Sequence, residues 1–248
     1  MKVGVNGAVR DISDLKVGAN GAVRQASELW IGVNGATKKV WPTLPVGTEF
    51  IINTVGQNTW VCPVSGLYRI ELHGGGGGGG GANYYHTSIS SYYTHLGGGG
   101  GGSGTVVEVS LQKDNSYSIT IGKGGSAGKA GNDALGTNGN AGGSSSFAST
   151  YTVKGGGGGQ GDETDPLKQS IGGSASGNVG VSGEDGYREN GTGPAFAKDG
   201  GAGGSGGGKY GNTYGKGGNG GGSSSTFPIT LLDGYAGANG ACIITYLG

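Results

Sequence analysis

The sequence predicts an all-β protein in which short hairpins precede an antiparallel sandwich with glycine-rich insertions. Three observations indicate this: a repeat within residues 1–43, short alternating stretches beyond residue 46, and 65 glycines among 248 residues, gathered mainly in runs. Ordering a residue costs about 1–2 kcal/mol of backbone entropy, and glycine loses the most freedom. Because the runs have few side chains to bury, their stability must come from backbone hydrogen bonds.

The first 43 residues contain one motif three times, at intervals of 14 residues. The copies begin at Lys2, Lys16 and Trp30, and each carries Asn-Gly at its centre. Asn-Gly is the strongest short signal for a type I′ hairpin turn, since both central residues need a positive φ. One such hairpin is marginal alone, but three can bury their apolar faces together. We predict that residues 1–43 are a domain of three β-hairpin repeats for attachment or oligomerisation.

Residues 44–248 are predicted to form a second domain around a jelly-roll-like antiparallel sandwich. About eight stretches have the length, alternation and flanking turns of short strands. They are Glu49–Thr54, Thr59–Val64, Leu67–His73, Thr105–Gln112, Tyr117–Ile121, Phe147–Val153, Thr226–Leu232 and Ala241–Leu247. A hairpin is expected around Asp114-Asn115. Phe147 follows a Gly-Gly-Ser-Ser-Ser stretch directly, and Phe227 follows a second one after Thr226. We expect both to mark the return of the chain to the apolar core.

Glycine-rich stretches leave this frame at six places. They span Gly74–Gly81, Gly97–Gly104, Gly122–Gly143, Gly155–Gly161, Gly172–Gly193 and Gly200–Gly222. The collagen triplet is not sustained, and several stretches run instead as Gly-Gly-X. That pattern suits an extended left-handed helix with three residues per turn and no internal hydrogen bonds. Glycine faces would let such helices bond backbone to backbone, which predicts a polyglycine II body.

Tyrosine-rich segments lie between the glycine runs. The four segments are Ala82–Leu96, Asp162–Ile171, Gly183–Asp199 and Lys209–Lys216. Tyrosine with serine, asparagine and glycine is typical of adaptable recognition loops. The candidate binding residues are Tyr84, Tyr85, His86, Tyr92, Tyr93, His95, Tyr187, Tyr210 and Tyr214. In a second interpretation, the tyrosines cap the ends of a glycine bundle and shield it from water.

Charge and hydropathy argue against two classes of partner. The chain has 16 basic and 16 acidic residues and no repeated Arg-Gly-Gly boxes, which argues against nucleic-acid binding. It has no apolar stretch of about 18 residues and no apolar signal core after Met1, so we expect no membrane span and synthesis in the cytoplasm.

Catalytic and cofactor motifs are not convincing. Matches to Gly-x-Gly-x-x-Gly lack the flanking strand and helix that a nucleotide site needs. His86 and His95 share a loop but lack metal-ligand spacing. We therefore expect no enzymatic activity, no cofactor and no metal. Cys62 and Cys242 are expected to be buried thiols rather than a disulfide, although pairing is the alternative.

The alternation of glycine runs and tyrosine-rich loops over about Gly74–Gly240 resembles the receptor-binding adhesins at the distal end of long tail fibres in T-even-type bacteriophages. The repeats within residues 1–43 instead resemble the hairpin repeats of tail proteins from phages of Gram-positive bacteria. This resemblance implies a non-catalytic receptor-binding protein of the virion tail, assembled in the host cytoplasm, that acts in host adsorption.

The partners implied are a bacterial cell-surface receptor, either polysaccharide or protein, and other tail proteins through residues 1–43. The chain would be a homotrimer or a monomer on a trimeric fibre. Two alternatives remain: a purely structural tail-tip or spacer protein of the virion, and a structural or ice-binding glycine-rich protein of a host. Binding to whole cells would distinguish an adhesin from a spacer.

Overall fold

In the computed structural model, the described backbone forms 17 β-strands and contains no helix. The backbone is described for residues 2–5, 8–11, 16–19, 22–25, 29–33, 36–41, 44–88, 91–131, 135–161, 169–186, 188–191, 200–223 and 230–248. Side chains are described for residues 44–83, 96–131, 135–161, 169–186, 200–223 and 230–248. All strand pairs are antiparallel, so the predicted all-β class is confirmed.

The chain divides into two compact units, Met1–Thr48 and Glu49–Gly248. The first unit holds three separate two-stranded sheets, each formed by strands that are neighbours in the sequence. The pairs are β1 (Lys2–Val5) with β2 (Ala8–Asp11), β3 (Lys16–Ala19) with β4 (Ala22–Gln25), and β5 (Leu29–Val33) with β6 (Ala36–Trp41). The Asn-Gly pairs predicted as turns lie outside the described residues.

The second unit contains eleven strands. They are β7 (Glu49–Ile52), β8 (Gly56–Val61), β9 (Gly66–His73), β10 (Asn83–Ser88), β11 (Ser91–His95), β12 (Thr105–Leu111), β13 (Ser116–Ile121), β14 (Ser145–Phe147), β15 (Tyr151–Val153), β16 (Arg188–Gly191) and β17 (Ala241–Tyr246). Eight of them build two four-stranded sheets, with the orders β12-β9-β17-β7 and β15-β14-β13-β8.

Aromatic side chains join the two sheets across a shared apolar core. The ring of Trp60 on β8 lies 5.4 Å from that of Phe50 on β7 and 5.7 Å from that of Tyr68 on β9, both in edge-on geometry. Phe147 is completely buried and stacks on Tyr117 with ring centroids 5.5 Å apart. The prediction that Phe147 returns the chain to the core is confirmed, whereas Phe227 lies outside the described residues.

Two strand predictions are wrong. No hairpin forms around Asp114-Asn115, because β12 pairs with β9 and β13 pairs with β8, so this connection crosses from one sheet to the other. Crossing lets both strands turn apolar residues toward the same core. The stretch 147–153 is two strands joined by a turn with positive φ at Ala148 and Ser149. Most of the predicted strand 226–232 lies outside the described residues, and residues 230–232 take part in an isolated bridge between Leu231 and Ser223.

Ten extended segments lie outside the two sheets, and we call them together the glycine lattice. Segments I to X cover residues 74–82, 96–104, 122–131, 135–144, 154–161, 169–177, 179–186, 200–207, 215–223 and 230–240, in that order. Successive segments run in opposite directions. Their backbone N–H and C=O groups form hydrogen bonds between segments.

Segment I shows how these bonds are arranged. Its donors face three neighbours in rotation, so every third residue bonds to the same one. Residues 75, 78 and 81 donate to segment IV, residues 76, 79 and 82 donate to segment X, and residues 77 and 80 donate to segment II. The carbonyl groups of segment I accept bonds from segments III, V and IX, so six segments surround it.

Segment II is surrounded in the same way, by segments I, V, VI, VII, VIII and IX. The eight outer segments form a closed ring in the order X, III, IV, V, VI, VII, VIII and IX, with backbone hydrogen bonds at every joint. Two central segments are therefore covered completely by eight outer ones.

The two central segments need glycine at nearly every position. Segments I and II are almost pure glycine, because each residue in turn faces another backbone. A Cβ at Gly77 or Gly100 would overlap a carbonyl oxygen of a neighbouring segment. Segments IV, VII and X have three neighbours each and keep glycine at every third position, as in Gly234, Gly237 and Gly240 of segment X.

Candidate functional site

The glycine lattice has two different ends. At the proximal end, segments I to V and X continue directly into strands of the two sheets. At the distal end, the described residues that flank five chain connections lie together. The connections are 83–95, 132–134, 162–168, 187–199 and 224–229.

Backbone hydrogen bonds fix the distal flanks to one another. The bonds are Gly131 N–H to Ala82 O (3.0 Å), Ala82 N–H to Leu232 O (3.2 Å), Gly98 N–H to Gln160 O (2.9 Å), Gly201 N–H to Gly97 O (2.9 Å) and Gly186 N–H to Ser170 O (2.7 Å). Every one of the five connections therefore begins and ends at the same end of the lattice.

A small apolar cluster closes the distal end. Ala82, Leu96 and Leu231 are buried together, and Ala130 packs against them. Asn83 is 1 % exposed, and its Nδ2 donates to Gly161 O at 3.3 Å. The chain thus leaves the lattice from a closed, hydrogen-bonded platform.

The segment Ala82–Leu96, predicted as a loop, contains two paired strands. Strand β10 pairs with β11, with Tyr85 opposite Tyr93 and His86 opposite Tyr92. Strand β16 joins as a third strand, with Tyr93 opposite Asn190. The backbones of two predicted recognition segments, 82–96 and 183–199, therefore meet in one sheet, because β16 belongs to the second.

The structure describes only part of the predicted site. The backbone of β10 and β11 carries six candidates, Tyr84, Tyr85, His86, Tyr92, Tyr93 and His95, whose side chains lie outside the described residues. Tyr187 lies outside the described residues altogether.

Tyr210 and Tyr214 lie at the proximal end, away from the other candidates. The Tyr210 hydroxyl donates to Glu49 Oε2 on β7 at 2.6 Å, and its N–H donates to Glu71 Oε1 on β9 at 2.8 Å. The Tyr214 hydroxyl accepts a hydrogen bond from Asn53 Nδ2 at 3.1 Å. The predicted recognition segment Lys209–Lys216 thus docks on the sandwich, and the structure does not bring it together with the backbone of β10, β11 and β16.

Glu71 and His73 form a buried pair beneath this turn. Glu71 is 4 % exposed and His73 is fully buried, and His73 Nε2 lies 2.9 Å from Glu71 Oε1. His73 Nδ1 lies 3.3 Å from Ser103 O, so both ring nitrogens face oxygen acceptors. Sequence reasoning did not predict the contacts of Glu71. Nothing in the local pattern Glu-Leu-His indicates that Tyr210, which is 139 residues away, donates a hydrogen bond to this carboxylate.

Both carboxylates that hold the turn have lowered pKa values. Burial raises the pKa of Glu71, but hydrogen bonds from His73 and from the N–H groups of Tyr210 and Lys209 outweigh this and bring it below the ordinary value of 4.5. Hydrogen bonds from Tyr210 and Lys209 lower the pKa of Glu49. Both groups are thus held as carboxylates at neutral pH.

A family model described as a glycine-rich domain matches residues 53–247. This chain belongs to the glycine-rich domain family. The match covers the lattice and seven of the eight sandwich strands, and it leaves out the three hairpins of the first unit. No curated protein matches the chain.

The described residues also bear on metal binding, membrane spans and cysteine pairing. Within residues 44–83, 96–131 and the later described stretches, no group of three His, Cys, Asp or Glu side chains could hold a metal ion. Among the described residues there is also no helix with the length and apolarity of a membrane span. Cys62 and Cys242 are both free and buried, and burial raises the pKa of the Cys242 thiol to about 12.

Two features of the distal end were missed by sequence reasoning. Connections 132–134 and 224–229 also have their flanks there, although neither was proposed as a recognition segment. A signal was available: each separates two stretches with glycine at regular intervals, as the other three connections do. A glycine pattern that stops and resumes therefore marks a turn of the lattice.

Proposed function

We propose that this glycine-rich domain protein is a non-catalytic receptor-binding adhesin of a bacteriophage tail or a related tail-like particle. The observation that carries the proposal is the meeting of five chain connections at one end of a continuous hydrogen-bonded lattice. A rigid body with several loops at one end can present a composite surface whose parts keep fixed positions, which lowers the entropy cost of binding.

The body is proposed to be a bundle of polyglycine II helices on a jelly-roll-like sandwich. The rotation of donors among three neighbours with a period of three residues supports this helix type. At about 3.1 Å per residue, a nine-residue segment such as 74–82 would extend about 28 Å. That length separates the distal loops from the sandwich.

The binding surface is proposed to lie on the distal connections, above all on β10 and β11. Their sequence holds Tyr84, Tyr85, Tyr92 and Tyr93 among serine, threonine and asparagine residues. Tyrosine supplies a large contact area at a low cost in side-chain entropy, and it suits both sugar and protein receptors. Tyr210 and Tyr214 are better explained as anchors of a proximal turn.

Attachment to the particle is proposed to use the three hairpins of residues 1–43. They are compact by themselves and lie outside the residues that match the family. The partner would be another tail protein, and the chain would sit in the virion tail as a homotrimer or as a monomer on a trimeric fibre.

A purely structural tail-tip or spacer protein is the second candidate. The closed ring of outer segments and the buried distal cluster favour it, because both would serve a rigid plug with no ligand. Adsorption separates the two functions. Labelled protein is incubated with a panel of bacterial cells and cell-wall fractions, and an adhesin binds a subset of strains with saturation. Uniform absence of binding across hosts of related phages would refute the adhesin.

A further inference from the structure

A lattice made of glycine backbone does not define its own register. Every third residue of a segment faces the same neighbour, so a shift by three residues restores equivalent donors and acceptors. At about 3.1 Å per residue, such a shift would move a distal connection by about 9 Å. Register must therefore come from groups other than the repeating backbone, as it does in sheets from side-chain pattern and turns.

Six segments have their register set by covalent continuity with sandwich strands. Segments I to V and X each join a strand at the proximal end. The other four do not. Segments VI and VII are joined to each other by a turn at 177–179, and segments VIII and IX by a turn at 208–214. These two pairs carry both ends of connection 187–199 and one end each of 162–168 and 224–229.

Asn178 holds the first pair on the edge of the sandwich. Val106 N–H on the edge strand β12 donates to Asn178 Oδ1 at 3.0 Å, and Asn178 Nδ2 donates to Val106 O at 3.2 Å. The side-chain amide thus replaces the backbone of a neighbouring strand. Val179 N–H adds a bond to Gly104 O at 3.2 Å.

Two carboxylates hold the second pair. Lys209 Nζ lies 2.9 Å from Glu49 Oε1, and the Tyr210 hydroxyl donates to the other oxygen of the same group. Tyr210 N–H donates to Glu71 Oε1, which His73 fixes from the opposite side. These contacts are specific to one register, because a shift by three residues would carry Lys209 and Tyr210 away from both acceptors.

Within pairs of outer segments, one local motif repeats six times. In this motif a polar residue directly precedes a glycine. The glycine N–H donates to the carbonyl of a residue j on the neighbouring segment, and the polar side chain accepts a hydrogen bond from the N–H of residue j+2 on that same segment. The side-chain bonds are Asn138 to Gly161 (2.7 Å), Ser182 to Ala175 (3.0 Å), Asp185 to Gly172 (2.8 Å), Asn219 to Gly203 (2.9 Å), Asp233 to Ala130 (2.8 Å) and Asn239 to Gly124 (3.0 Å). Segments VI with VII, and VIII with IX, are therefore each locked internally, so each pair would slip as a unit.

We propose that Asn178, Glu49 and Glu71 are register anchors that set the height at which the two unattached pairs present their distal connections. Their importance for binding rests on the proposed function, whereas the register itself does not. The anchors act through position: none of them lies at the distal end.

Disulfide trapping measures the register of segment VIII against segment VII. Glu184 N–H donates to Ala202 O at 2.9 Å, so Glu184→Cys with Ala202→Cys reports the native register. A shift of segments VIII and IX toward the distal end by three residues brings Ser205 to that level. Glu184→Cys with Ser205→Cys therefore reports the slipped register. Each pair is built with intact anchors and with Glu49→Ala plus Glu71→Ala, and oxidation products are quantified by peptide mass spectrometry.

With intact anchors, the native pair is expected to cross-link and the slipped pair is not. In the anchor variant the slipped product is expected to rise at least severalfold at the expense of the native one. Ile119→Val, a core change away from the anchors, controls for loss of stability alone and should leave the ratio unchanged. A folded anchor variant that gives only the native product overturns the proposal.

The first pair provides an independent test if the carboxylate variant does not fold. In Asn178→Ala, a shift of segments VI and VII toward the distal end brings Val181 to the level of Ala202, so Val181→Cys with Ala202→Cys traps it. Absence of that product in folded Asn178→Ala protein also overturns the proposal. Adsorption of the wild-type protein to cells is measured separately. Slipping in the variants together with no adsorption by the wild-type protein refutes the adhesin and leaves the anchors. Adsorption by the wild-type protein together with no slipping in the folded variants refutes the anchors and leaves the adhesin.

Discussion

The backbone N–H of Tyr210 donates to Glu71 Oε1 at 2.8 Å, although the two residues are 139 positions apart in the sequence. This bond joins a turn of the glycine lattice to the central part of a sandwich sheet. Glu71 also accepts from His73, so one buried oxygen receives donors from the sheet and from the lattice. The link holds the glycine lattice on the β-sandwich.

Replacing Glu71 by leucine should destabilise the second unit strongly. The change leaves His73 and the Tyr210 N–H without their acceptor in a buried place, and breaking a buried pair costs about 3–5 kcal/mol. Urea unfolding followed by tyrosine and tryptophan fluorescence measures the loss. Glu71→Gln, which keeps one acceptor oxygen, should lose clearly less, and equal losses for both variants would contradict the role assigned to this oxygen.

Stability should fall in acid because of Glu71 and Glu49. Their pKa values lie below the ordinary 4.5 in the folded protein. A group with a lowered pKa contributes stability fully above its unfolded pKa, and that contribution is lost as the pH falls through the folded pKa. The free energy of unfolding, measured from pH 7 to pH 3, should decrease below about pH 4.5. Glu71→Gln should flatten that decrease, and parallel curves for variant and wild type would exclude Glu71 as a source.

Alanine at a central glycine should prevent folding or destabilise severely. A Cβ at Gly77 would overlap the carbonyl of Gly157, and the backbone there cannot move away because other segments enclose it. We expect a loss above about 3 kcal/mol, beyond the usual cost of overpacking a core. Gly143→Ala is the matched control, since its Cβ would find its nearest atom at 3.1 Å. Equal melting temperatures for the two variants would argue against close backbone packing.

Alanine at Tyr84, Tyr85, Tyr92 and Tyr93 should weaken adsorption to host cells. We expect a loss of at least about 2 kcal/mol, roughly thirtyfold in affinity, which is the scale of one aromatic hot spot. The melting temperature should change little. Tyr214→Phe, which removes a proximal hydroxyl, should adsorb normally. A quadruple variant that unfolds but adsorbs normally per folded molecule would make these tyrosines caps of the lattice.

Deleting residues 1–43 should abolish incorporation into particles and leave the rest folded. The two units are separately compact, so Glu49–Gly248 has its own core. Incorporation is scored by sedimentation of tagged protein with virions, and folding by the thermal melt of the truncated chain. Normal incorporation of folded, truncated protein would assign attachment to another surface.

Several features could be predicted because they depend on neighbours in the sequence. Alternation of apolar and polar residues located six of the eight sandwich strands to within a few positions, since side chains in a strand alternate faces. The glycine intervals located the body, because each glycine marks a residue that faces another backbone. Phe147 was predicted as a core residue from its place at the end of a glycine-rich stretch, and its side chain is fully buried.

Other features depended on partners that no local pattern identifies. Asp114-Asn115 reads as a hairpin turn, but the two strands it joins belong to different sheets, because each finds a better partner elsewhere. Lys209–Lys216 has the composition of a recognition loop, and only its contacts with Glu49 and Glu71 place it at the proximal end.

The sequence by itself determined that the chain is all-β and where its glycine body lies. These properties follow from periodicity and from the missing Cβ, which act over a few residues. Tertiary structure alone decided which segments occupy the centre, which connections share an end and which carboxylates fix the register. The physical reason is that a glycine backbone forms equivalent hydrogen bonds with any neighbouring segment whose donors and acceptors are in register with it. Side chains far away in the sequence therefore decide which segments become neighbours.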